Sequence, residues 1–210
     1  MHSLNIIHRD LKPENILVKI HENSNNYKIC DFGLAQVSLK NQLTGNLGSV
    51  RYKAPEIFNL EFYGKPVDIW ALGVIVYVII SGTDPFMRPG EDDRRDRTTI
   101  EGRIREGVKF TSPVWLETPL ARDFVEHLLH PDASQRLTAD EALQHEWITI
   151  GRETIENHEL PEALITISSI SSRRRAINVL RNTVMFCLKL KSKMRKRRIN
   201  QNYDISESQV

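Results

Sequence analysis

Two short stretches constrain this chain more than any other feature: His8-Arg9-Asp10-Leu11-Lys12-Pro13-Glu14-Asn15, and Asp31-Phe32-Gly33, which begins sixteen residues after Asn15. A hydroxyl made to attack an electrophile needs a carboxylate that orients it and takes its proton, and Asp10 is the candidate. Magnesium ions need hard oxygen ligands, which the Asn15 amide and the Asp31 carboxylate offer. Lys12, two residues from Asp10, places a compact positive charge beside the same centre. The spacing from Asp10 to Asn15 suits a tight loop whose side chains converge on one point. The competing reading is a charged surface loop next to an unrelated Asp-Phe-Gly turn.

Further matches in the same order decide between the two. Gly48-Ser49-Val50-Arg51-Tyr52-Lys53-Ala54-Pro55-Glu56 and Asp68-Ile69-Trp70-Ala71-Leu72-Gly73 follow downstream. With the first two stretches they resemble the signature of the eukaryotic protein kinases: H-R-D-x-K-x-x-N, D-F-G, A-P-E and D-x-W-x-x-G. The resemblance covers residues 1–149 and implies Mg2+ and ATP as cofactors. It places Asp10, Lys12 and Asn15 in catalysis and Asn15 and Asp31 on the metal. It sets Lys12, Glu14, Asn15, Leu17 and Asp31 against the nucleotide. Structural roles fall to His8, Phe32, Glu56, Asp68 and Arg136, with Arg136 ion-paired to Glu56 and Asp68 bonded to the backbone of the catalytic loop. Read alone, Asp68 at the head of an apolar helix is better taken as an N-terminal cap.

Residues 34–53 are polar, carry Gly45 and Gly48 and show no periodicity, so they read as a loop where kinases carry the activation segment. In the family the arginine at the position of Arg9 pairs with a phosphate on that loop. Thr44 is the first candidate acceptor and Ser38 the second; hydroxyls that are never modified are the alternative. Ser49 stands where relatives have Thr and keeps a hydroxyl able to bond Asp10 and Lys12.

The rest of the chain supports a mainly α fold with a few short β-strands: a kinase-like C-terminal lobe lacking the β-sheet of the N-terminal lobe. Ile6-Ile7, residues 16–19 and residues 27–30 read as short strands around the catalytic loop, with a turn composition over residues 21–26. The twelve-residue apolar run 69–80 is too short to span a bilayer and reads as a helix buried all round. Pro66 suits its first turn and Ser81-Gly82 its end. Residues 87–97 read as a surface loop, and helices are expected over 98–106 and from Pro119 to His130. The second has Leu120, Phe124, Val125, Leu128 and Leu129 on one face. Thr138-Ala139-Asp140-Glu141 is a capping box opening another.

Two cysteines at no metal-ligand or disulfide spacing, and no basic leader, point to a reducing, cytoplasmic compartment, with the nucleus as the alternative. The net charge of +2 hides an asymmetry. Residues 173–198 carry eleven Lys or Arg and no acid, which leaves 18 basic against 27 acidic residues elsewhere.

Lys12 and the Lys-Pro-Glu-Asn run resemble the serine/threonine type, and Trp70-Ala71-Leu72-Gly73-Val74-Ile75 with Ser81-Gly82-Thr83-Asp84-Pro85-Phe86 resemble, within it, the calcium/calmodulin-dependent group. That implies a protein substrate with a Ser or Thr acceptor, whose preceding basic residues Glu14 would read. Residues 150–172 read as a linker and 199–210 as a disordered tail. Between them, 173–198 read as a basic amphipathic helix whose Ile177 and Leu190 have a spacing seen in calmodulin targets. A nuclear-import signal, a helix on anionic lipid and a solvated tail compete with calmodulin there. No specific nucleic-acid partner is implied.

No Gly-x-Gly-x-x-Gly occurs, and no Val-Ala-x-Lys precedes the catalytic motif. The expectation is therefore a kinase by family whose isolated chain has little or no activity. The alternatives are a non-catalytic interaction module built on a kinase large lobe, and a fuller kinase whose beginning lies upstream of Met1.

Overall fold

The computed structural model describes residues 1–150, apart from residues 22, 23, 41, 60, 93 and 94, and the side chains of 18–26 are left aside. The linker, basic helix and tail expected beyond residue 150 lie outside the described residues.

One helix lies at the centre of the core. α2, Pro66–Ser81, has thirteen of its sixteen residues buried, so it has no solvent face and needs neighbours on all sides. Pro66 opens it, and Gly82 closes it at φ 72°, accepting the left-handed geometry that other residues resist. At Gly73 a Cβ would lie 2.7 Å from the Leu129 side chain. This missing side chain lets the end of α5, Pro119–Leu128, come close to α2.

Other helices among the described residues include α1, Pro55–Phe58, α3, Arg97–Glu106, α4, Val114–Glu117, and α6, Ala139–Ala142. Together with α5, they supply Ile57, Ile100, Ile104, Trp115, Phe124, Val125, Leu128 and Ala142 to a single core with Trp70, Val74, Ile75 and Phe86. Residue Leu120, expected on the apolar face of α5, lies at its margin with 36% exposure, and the helix stops at Leu128, short of His130. α6 carries the expected capping box: Thr138 Oγ1 accepts from the Glu141 N–H, and Glu141 accepts from the Thr138 N–H.

The strands are few. β2, Ile16–His21, pairs antiparallel with β3, Ser24–Ile29, in the register Ile16 opposite Ile29. The pairing runs on to His21 opposite Ser24, so the turn expected over 21–26 is mostly strand. Asn and Ser are poor strand formers, and cross-strand pairing overrides their local preference here. β1, Ile6–Ile7, pairs with β4, Gln36–Val37, inside the segment expected to be all loop. A second tie within that segment is the bridge between Leu43 and Tyr63. Isolated two-residue pairings carry no hydrophobic periodicity, which is why the sequence hides them. Among the described residues, no helix is long and apolar enough to cross a membrane.

Candidate active site

The hairpin β2–β3 brings its two ends together: Asn15 precedes β2 and Asp31 follows β3, and the Cys30 N–H donates to the Asn15 carbonyl at 2.9 Å. β1 runs into His8-Arg9-Asp10, so three backbone segments meet at one place. Local shape there is set by side chains. Arg9 adopts φ 67° and Asp31 φ 60°, the left-handed region that non-glycine residues occupy only when surroundings compel it.

The compelling group at Arg9 is Asp68. From the first turn of α2, 2% exposed, it accepts the His8 N–H on Oδ2 and the Arg9 N–H on Oδ1, each at 2.9 Å. It does not cap its helix; Lys65 occupies that position and α2 has no side-chain cap. His2 Nε2 lies 2.8 Å from the same Oδ2. The His8 ring sits on the Cys30 carbonyl at 3.0 Å and meets the Phe32 ring edge-on at 5.1 Å. The two motif stretches are thereby clamped to each other and to the core helix.

Asp10 is held on both oxygens. Lys12 Nζ donates to Oδ2 at 2.7 Å, and Ser49 donates to Oδ1 through its N–H and its hydroxyl, both at 3.0 Å. Lys12 also reaches Ser49 Oγ at 3.3 Å, closing the triangle. Burial alone pushes the Asp10 carboxyl up. The hydrogen bonds from Lys12 and Ser49 and the Lys12 charge outweigh it, holding the group below its ordinary 3.8. Lys12 is raised above 10.5, first by its bond to Asp10. At neutral pH the pair is a carboxylate and an ammonium.

Asn15, 5% exposed, spends its amide N–H on the Asp10 carbonyl at 2.9 Å, which leaves its amide oxygen as an acceptor. Asp31 is exposed, its Oδ1 bonded locally to the Gly33 N–H at 3.3 Å. An amide oxygen and a carboxylate flanking the hairpin are the donors a hard divalent cation takes, so the residues fit Mg2+.

Of the other expected residues, Glu14 is exposed, Leu17 is 54% exposed and Phe32 50%. Arg136, 5% exposed, makes the two-pronged bond to Glu56 at 2.8 and 2.9 Å and stacks over Trp70 at 5.1 Å. Thr44 is exposed, whereas Ser38 is buried and its hydroxyl accepts the Gln42 N–H, so of the two candidate acceptors Ser38 is withdrawn from solvent. Arg9 donates through Nε to the Leu34 carbonyl at 2.6 Å, and its tip lies 3.5 Å from the Tyr63 hydroxyl. That hydroxyl sits 3.1 Å from the Thr44 carbonyl and 3.0 Å from that of Gly45. Tyr63 thus joins Arg9 to the loop, a role sequence reasoning missed because its only local signal is an aromatic before Gly64-Lys65-Pro66.

The protein kinase domain family matches residues 1–148. The chain belongs to the protein kinase family. Curated relatives of this kinase chain include rat calcium/calmodulin-dependent protein kinase type 1B, 41% identical over 150 residues, which are 71% of this chain and 42% of the relative. The calcium/calmodulin-dependent protein kinase type I of Schizosaccharomyces pombe is 37% identical over 185 residues, 86% of this chain and 53% of the relative. The zebrafish CaM kinase-like vesicle-associated protein is 40% identical over 154 residues, 71% and 35% respectively. The kinase chain spans about half the length, or less, of these relatives. By family it is a serine/threonine protein kinase, and these relatives are of the calcium/calmodulin-dependent group.

Proposed function

We propose that residues 1–149 are the large lobe of a serine/threonine kinase and carry the catalytic and magnesium-binding half of its active site. The carrying observation is the Asp10 carboxylate, ionised and aimed by three donors from Lys12 and Ser49. A substrate Ser or Thr hydroxyl placed against Asp10 is oriented by it and gives up its proton to it. Lys12 balances negative charge gathering at the transferred group. Asn15 and Asp31 would hold Mg2+; bound Mg-ATP supplies the electrophilic phosphoryl group. Glu14, exposed in this loop, would read basic residues preceding the acceptor, and Leu17 would lie against the nucleotide.

The isolated chain works poorly in this reading. Leu17 and Phe32, about half exposed, are large apolar side chains open to solvent where a nucleotide and a second lobe would cover them. The same open face favours the alternative, a non-catalytic interaction module. Arg9, linked to the Thr44 segment through Tyr63, is the group to receive a phosphate on Thr44. Residues 173–198 bind calmodulin in this reading. A peptide of that span mixed with calmodulin should shift in calcium and not in chelator; no shift would remove that part. The core reading is tested by incubating the purified 210-residue protein with Mg-ATP and a basic Ser/Thr peptide. Feeble transfer is expected. Robust transfer, lost in Asp10→Asn, would overturn the half-site reading.

A further inference from the structure

We propose that Asp123, His127 and His145 form a binding site for a borderline transition-metal dication, with Zn2+ best suited to the donor set. The three residues belong to none of the machinery described above. Asp123 and His127 are one turn apart on α5, a spacing that puts both side chains on one face. His145, in the segment after α6, reaches the same point: its Nε2 lies 2.9 Å from Asp123 Oδ2, while His127 Nδ1 lies 3.5 Å from Asp123 Oδ1 and 2.8 Å from the Asp123 carbonyl, a contact that a metal on that nitrogen replaces. One ligand atom from each residue lies within 4.8 Å of the others. Ligand atoms on a tetrahedral zinc are about 3.3 Å apart, so closure needs side-chain movement of about 1 Å.

The cluster is built to allow that movement. The His145 side chain is 12% exposed, and its ring packs on Phe124 at 5.0 Å, so it is the fixed ligand. Asp123 and His127, at 52% and 49%, are open to solvent and can swing inward, with room for a water in the fourth position. Two imidazoles and one carboxylate select zinc, nickel or copper over magnesium and calcium, which prefer all-oxygen sites. The neighbouring cation on α5, Arg122, is turned to Glu126 at 2.9 Å.

His145 also links the site to a reporter. Its Nδ1 accepts the Trp147 N–H at 3.2 Å, so its proton sits on Nε2 and points at Asp123. A metal on Nε2 moves that one proton to Nδ1 and ends acceptance from Trp147. The donor lost is the Trp147 backbone amide, so binding is felt at the residue whose indole packs on Phe124 at 5.1 Å.

The test uses the full chain in excess Mg2+, titrated with Zn2+ against a chromophoric chelator while tryptophan fluorescence is followed. Asp123→Asn keeps an acceptor for His145, and His127→Gln alters a half-exposed side chain, so both should fold, which circular dichroism checks. The parent should bind one Zn2+ with a fluorescence change, and each variant should bind on the order of tenfold or more weakly. Absence of stoichiometric Zn2+ binding, or equal binding by parent and both variants, would overturn the site. Neither result bears on phosphoryl transfer.

Discussion

Asp68 Oδ1 accepts the backbone N–H of Arg9 at 2.9 Å, and through that bond the helix at the centre of the core fixes a left-handed residue immediately before Asp10. Core and site are thus one construction. Asp68→Ala strands the His8 and Arg9 amides in a buried setting, where each lost partner costs about 1–3 kcal/mol. A loss of about 2–5 kcal/mol in chemical denaturation is expected, with Asp68→Asn falling between. A loss below about 1 kcal/mol would show that water replaces the carboxylate.

Glu56 and Arg136, eighty residues apart, are both buried and bidentate. Breaking such a pair from one side leaves an uncompensated charge, so Arg136→Ala should cost about 3–5 kcal/mol. Arg136→Lys keeps the charge and loses the fork, the stack over Trp70 and contacts to the His130 and Pro66 carbonyls. It should also destabilise, and a double-mutant cycle with Glu56→Gln should show strong coupling.

The ionised state of Asp10 depends on Lys12 and Ser49 against the pull of burial. Because the folded carboxyl titrates below 3.8, its contribution to stability is fully present above that value and disappears as pH falls through the depressed one. In Lys12→Met the Asp10 titration should move upward, read by carboxyl 13C chemical shift. An unchanged midpoint would contradict the arrangement.

Gly48 sits at φ +89°, and a Cβ there would lie 2.5 Å from the Arg9 carbonyl, which is backbone and cannot yield cheaply. Gly48→Ala should cost about 1–3 kcal/mol and draw Ser49 off Asp10. A raised Asp10 midpoint, as in Lys12→Met, is the accompanying signature.

Much of this was legible in the sequence because the chemistry is local in the chain. Asp10, Lys12 and Asn15 span six residues, and the apolar run 69–80 announces a fully buried helix. The Glu56–Arg136 and Asp68–loop contacts came from family resemblance, since nothing local to either partner specifies them. What stayed hidden depends on long-range placement. Tyr63 under Thr44, His2 on Asp68 and the β1–β4 pairing each join segments through one or two contacts without periodicity. His145 and Asp123 are likewise twenty-two residues apart, and only the turn after α6 brings them together.

The most direct test of the central claim supplies the other half of the site. The chain is joined at Met1 to the N-terminal part of rat calcium/calmodulin-dependent protein kinase type 1B, and transfer of labelled γ-phosphate to a basic Ser/Thr peptide is measured. The account predicts transfer by the fusion well above that of the chain alone, falling by about 10² to 10⁴ in Asp10→Asn. Equal transfer by the fusion and its Asp10→Asn variant would contradict it.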